Sequence, residues 1–105
     1  MNDEQMAEIM PLIMYGGEAK SSAVEAIQAA KSGDFDKADE RIKAASQAIV
    51  EAHHGQTDLL TKAANGEEVP VSIYMVHAQD HLMTGIAFVD LAKEIIELYR
   101  TMATK

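Results

Sequence analysis

The chain has 105 residues and sets nine Lys and Arg against seventeen Asp and Glu, a formal charge of −8 at pH 7. That length makes one domain, residues 1–105, with a modest core that association with further copies is expected to complete. An acidic balance without any basic cluster excludes nucleic acid and anionic membrane surfaces as partners, and the absence of cysteine excludes disulfides, thiolate metal sites and a cysteine nucleophile. No apolar run approaches the roughly 20 residues of a bilayer span. The start, Met1-Asn2-Asp3-Glu4, is acidic where a secretory signal needs cations, so a cytoplasmic protein is expected.

Ala, Glu, Lys, Met and Leu dominate, all good helix formers, and no stretch alternates as a strand does. The first helix is expected over about 3–31, where Met6, Ile9, Ile13, Ala19, Ala23, Ile27 and Ala30 recur at helical spacing. Pro11 and the Gly16-Gly17 pair interrupt it. Proline costs a helix interior roughly 3 kcal/mol and glycine about 1, which predicts a kink or fraying there. The bare glycines also offer a point where another backbone comes close. Met6, Met10 and Met14 recur every four residues and are expected to pack in the core; their adaptability would also suit a protein that docks two partners at one surface.

Ser32-Gly33 ends the first helix with a left-handed glycine. Asp34 caps the second, expected over 34–64, in which Phe35, Ala38, Ile42, Ala45, Ile49, Ala52, Leu59 and Leu60 keep helical spacing. Asp34, Asp36, Asp39 and Glu40 read as a solvated face complementing the helix dipole. Asn65-Gly66 stops this helix, and after Glu67-Glu68 the residue Pro70 suits a first helical position, giving a third helix over 70–102. Short connections make the fold all-α: an antiparallel up-down-up three-helix bundle. Three long thin helices leave apolar surface on their outer faces, which again points to self-association.

The densest chemical signal is Val76-His77-Ala78-Gln79-Asp80-His81-Leu82-Met83-Thr84 on the third helix. At about 100° per residue, His81 lies roughly 40° and Asp80 roughly 60° from His77, on opposite sides, so the three share a face. Ile73, Thr84, Phe88 and Leu91 extend that face, so the polar group interrupts an apolar stripe, where polar side chains need partners. A satisfied polar layer that fixes register is one explanation. Chemistry is another. A neutral imidazole keeps one nitrogen lone pair that can attack phosphorus, and the resulting phosphoryl group remains transferable. A second histidine one turn away could donate to the phosphoryl oxygens. Asp80 repels a phosphoryl group and better suits a cation; three copies brought to a threefold axis would fit a hard ion such as Mg²⁺.

The run His77-Ala78-Gln79-Asp80-His81-Leu82-Met83-Thr84 closely resembles the signature of the lactose/cellobiose-specific enzyme IIA family of the bacterial sugar phosphotransferase system. Gly17-Glu18-Ala19-Lys20-Ser21, Gly33-Asp34-Phe35, Glu51-Ala52-His53, Gln56-Thr57 and Glu97-Leu98-Tyr99 also resemble family positions, so the likeness runs through nearly the whole chain. Pro11 departs from the pattern. The resemblance implies a homotrimer, nine helices in all, that accepts a phosphoryl group from the histidine phosphocarrier protein and passes it to a cysteine of the cognate enzyme IIB. It serves uptake of a disaccharide of the lactose, cellobiose or chitobiose class and meets the membrane permease only indirectly. By position, the resemblance makes His77 the phosphorylated residue, through its ε2 nitrogen, and Asp80 the carboxylate holding one Mg²⁺ per trimer. Gln79 and His81 take supporting roles. The turn Gly66-Glu67-Glu68-Val69-Pro70 is slightly more lactose-like than cellobiose-like.

Two other readings stay open on the residues alone: a noncatalytic helical scaffold, and a metalloenzyme. His53 and His54 lie about 100° apart, so at most one points inward, and exposed histidines account for them more simply. Glu51 and His54 form a single Glu-x-x-His pair, where a di-iron bundle needs two such pairs and two further glutamates. His77, Asp80 and His81 resemble an H-x-x-E-H zinc motif with a shorter acid and no third ligand.

Overall fold

The structure is a computed structural model that describes residues 2–105. Among them are three helices and no strand: α1 (Asp3–Lys31), α2 (Phe35–Ala64) and α3 (Ile73–Ala103). They form a slender rod of 56 × 22 × 18 Å. Local chemistry sets most of the ends. Asn2 and Gln5 make a reciprocal capping box on α1, the Asn2 side chain accepting from the Gln5 N–H at 2.8 Å and the Gln5 side chain accepting from the Asn2 N–H at 3.1 Å. Gly33 and Gly66 end α1 and α2 at φ of 84° and 81°, where a side chain would be strained. Asp34 caps α2 by accepting from the Lys37 N–H at 3.1 Å.

Three expectations fail here. First, α3 begins at Ile73, so Pro70 stands in the connection rather than in the first turn. Ser72 is the N-cap, its backbone extended and its hydroxyl accepting from the Met75 N–H at 3.2 Å, whereas Val69, which would cap a helix starting at Pro70, has no side-chain acceptor to offer. Second, the fraying expected at Pro11 and Gly16-Gly17 does not occur: α1 runs as one helix over Asp3–Lys31, the span its spacing predicts. Ile9 and Leu12, on either side of Pro11, are 2% and 0% exposed, and burying two such side chains at about 1.5–3 kcal/mol each offsets the roughly 3 kcal/mol that proline costs. Third, Met10 and Met14 are 38% and 63% exposed and Leu60 is also 63% exposed, so none of them is core. Periodicity reveals that a helix has an apolar edge, not which way that edge faces.

Three clusters fill the rod: Ile9, Leu12, Ala52, Leu59, Met75, Ala78 and Leu82 at one end, an alanine-rich middle around Val89, and Ile96 among alanines at the other. Alanines let the helix axes come close, and at Gly16 two backbones meet. A Cβ built there would lie 3.0 Å from the His81 carbonyl carbon and oxygen, both backbone atoms that cannot step aside. A Cβ on Gly17 would meet nothing within 4 Å. Gly16→Val is therefore expected to lower unfolding stability in urea by about 1–3 kcal/mol or more, while Gly17→Ala raises it by up to about 1 kcal/mol. Equal effects of the two substitutions would contradict the close α1–α3 contact.

Candidate functional site

The contact at Gly16 fixes where the first turns of α3 stand against α1. His81 is half-buried with its backbone on Gly16, whereas His77, one turn earlier, is exposed. Their rings meet edge to face, with centroids 4.4 Å apart and planes at 83°, and their Nε2 atoms are 3.0 Å apart, a hydrogen bond in which one ring donates to the other. The second nitrogen of His81, Nδ1, is buried and has no partner among the described residues. Burial pushes the His81 imidazole below its ordinary value, and His77 and then Lys20 on α1 add to the fall, with Asp80 opposing it. His81 is therefore neutral at pH 7.

Asp80 is exposed and makes no ion pair among the described residues; the 2.7 Å bond that it accepts from the Thr84 hydroxyl ends on its main-chain carbonyl. It shares an open depression with His77, Ile73, Val76 and Met83. Gln79 lines one side of that depression but its amide turns the other way. Two residues along a helix is a rotation of about 200°, and the Gln79 carbonyl oxygen accepts from Gln56 of α2 at 2.7 Å while its amide nitrogen meets the Met75 sulfur at 3.7 Å. Gln79 thus ties α3 to α2 and does not join the histidine pair. Gln56 was not singled out as a site residue by the sequence; the available signal was a polar side chain on the arc between buried Ala52 and Leu59.

The apolar stripe around His77 and Asp80 is not buried in the chain. Ile73 is 80% exposed and Leu91 61%, and the core edge of α3 runs instead through Met75, Ala78, Leu82, Val89 and Ile96. The polar group therefore interrupts an outward face. His53 and His54 are both exposed, and among the described residues no three His, Asp or Glu side chains gather as metal ligands. No helix of the structure is long and apolar enough to cross a membrane.

The family model described as the lactose/cellobiose-specific IIA subunit of the phosphotransferase system matches residues 7–100. The chain is 50% identical over 95 residues to a cellobiose-specific EIIA component of Lactococcus lactis subsp. lactis, covering 90% of this chain and 82% of that one. It superposes on the crystal structure of the cellobiose-specific enzyme IIA from Bacillus anthracis with a TM-score of 0.96 at 43% identity, covering 100% of this chain and 96% of that one. A solution structure of the IIA(Chitobiose)–HPr complex of the Escherichia coli N,N′-diacetylchitobiose branch is also similar, with a TM-score of 0.82 and 38% identity over 97% of this chain and 99% of that one. On sequence and on fold alike, the chain belongs to the lactose/cellobiose-specific IIA family of the sugar phosphotransferase system.

Proposed function

We propose that this chain is the phosphoryl carrier between the histidine phosphocarrier protein and a cognate enzyme IIB, with His77 as the carrying residue, in the uptake of a disaccharide of the lactose, cellobiose or chitobiose class. The observation that supports this most is the 3.0 Å approach of the two Nε2 atoms at an exposed position. If His81 donates its Nε2–H, its buried Nδ1 carries no proton, so no N–H is stranded there. His77 Nε2 is then unprotonated, and its one lone pair, which accepts that bond, becomes free to attack phosphorus as His81 turns its Nε2–H to the incoming phosphoryl group. That pair forms the new P–N bond as the donor's P–N bond breaks and returns its electrons to the donor nitrogen. The Nε2–H of His81 is released to a phosphoryl oxygen. Onward transfer reverses the sequence: an IIB thiolate attacks phosphorus, and the P–N electrons return to His77. Gln79 supports the site indirectly, by holding α3 against α2. Similarity to a IIA protein solved with HPr supports the donor assignment.

The working form is a homotrimer of nine helices. Within about 60° of Asp80 on α3 lie Ile73, Val76, Met83, Leu91, Leu98 and Met102, between 55% and 80% exposed, a continuous apolar edge with one carboxylate in it. One carboxylate in an open depression does not make a cation site. Asp80 from three subunits would hold one Mg²⁺ per trimer, and the ion would neutralise the three acids rather than take part in transfer.

Intact mass after incubation with phosphoenolpyruvate, enzyme I and the phosphocarrier tests the reading. A gain of about 80 Da that disappears on brief acid treatment, the behaviour of phosphohistidine, is expected. No gain with an active donor system would leave a noncatalytic scaffold.

A further inference from the structure

We propose that Lys20 of α1 is the cationic arm of the phosphoryl site, its ammonium binding the non-bridging phosphoryl oxygens across the opening that Gly17 leaves. The inference rests on the carrier reading and assigns to α1 a share of the site that the His77–His81 motif does not contain. A phosphoryl group on nitrogen brings nearly two negative charges to a chain already at −8, one turn from the carboxylate of Asp80. Something must offset that charge without blocking the exposed side of His77. Arg41 is engaged with Glu25 and Glu40, Lys62 with Glu8, and Arg100 with Asp39 and Glu97, and of the lysines outside those pairs only Lys20 stands one turn along α1 from Gly16, where that helix meets the His81 backbone. Lys20 makes no ion pair among the described residues, and its helix neighbours three and four positions away are Gly16, Gly17, Ala23 and Val24, none of which can provide one.

Its position follows from the α1–α3 backbone contact at Gly16. Gly16 is seated on the His81 backbone, and side chains of a helix lean toward its N-terminus, so Lys20 lies back over Gly16 and Gly17 toward the histidine pair. The two glycines divide the work. Gly16 permits the backbones to meet, and Gly17, where a Cβ would touch nothing within 4 Å, keeps clear the space through which the Lys20 stem and a phosphoryl group reach each other. Lys20 itself is half-buried, which limits how far water screens it.

The test compares wild type, Lys20→Met, Lys20→Gln, Lys20→Arg and, as a remote change of the same charge, Lys105→Gln. Phosphoryl uptake from the phosphorylated carrier is measured across carrier concentrations, with helicity checked by circular dichroism. Lys20→Met and Lys20→Gln are expected to lose about tenfold or more in the maximal rate with KM for the carrier within about twofold, and the phosphorylated variants to hydrolyse several times faster. Lys20→Arg should recover most of the rate and Lys105→Gln all of it. Wild-type maximal rates in both neutral variants, or a loss confined to KM, which would make Lys20 a docking residue only, would overturn the proposal while leaving His77 as carrier. A wild-type protein that takes up no phosphoryl group would overturn both.

Discussion

Replacing His77 with Ala is expected to abolish phosphoryl uptake, with no mass gain and no acid-labile label, while unfolding stability stays within about 0.5 kcal/mol of wild type. The stability expectation follows from exposure: His77 contributes to no core cluster, and its one polar contact is the bond to His81. The activity expectation follows from geometry. His81 cannot take over, because it is half-buried with its backbone against Gly16, set back from the exposed position of His77, and its Nδ1 is buried. His53 and His54 are exposed on α2, but neither has a second imidazole that keeps one of its ring nitrogens unprotonated, so His53→Ala with His54→Ala should label as wild type does. Peptide mapping of the phosphorylated protein decides between these sites. Label surviving in the His77→Ala protein would remove His77 as the carrier.

Leu91→Asp is expected to convert the assembled protein into single chains of 11.4 kDa, read by light scattering or sedimentation. Leu91 is 61% exposed and lies roughly 20° around α3 from Asp80, so it belongs to the same outward edge. A threefold assembly through that edge would bring three new carboxylates together with little water to solvate them, which costs several kcal/mol per charge. Asp80→Leu should act in the opposite direction. It takes three like charges out of the same seam, so the trimer should persist in EDTA and melt higher than wild type. Should Asp80→Leu dissociate while Leu91→Asp remains assembled, the subunits would be held by the cation bridge and not by the apolar edge.

The elements of the fold were legible where local chemistry acts alone. Ser32-Gly33 and Asn65-Gly66 marked two helix ends because a left-handed residue is a local need, and glycine meets it. The start of α3 was misplaced by three residues because two start signals, Pro70 and Ser72, stand side by side, and only the Ser72 hydroxyl reaches an N–H. The span of α1 across Pro11 was legible from its helical spacing, whereas the absence of fraying at Pro11 was not, since it depends on Ile9 and Leu12 finding partners on other helices. The site was legible as far as angles along one helix carry it: His77, Asp80 and His81 on one face. The same arithmetic would have turned Gln79 away from His77. What no single-helix argument could supply was the register between helices, which pairs Gln79 with Gln56 and seats Gly16 on His81. Met10 and Met14 were misread for a related reason: a long helix can have more apolar edges than a three-helix bundle covers.

Eleven of the eighteen buried hydrophobic residues are alanines, seven of them at 0% exposure. An alanine has no rotamers to exchange, so a rod filled this way has few alternative packings to switch between. Loading and unloading His77 would then alter the protein's electrical signature and leave its outline alone. On the carrier reading, an upstream donor and a downstream acceptor visiting the same surface would have to tell a full carrier from an empty one by local charge, not by shape. Discrimination of that kind weakens with ionic strength, so raising salt should make the two partners compete for the carrier more indiscriminately, without any change in its helicity.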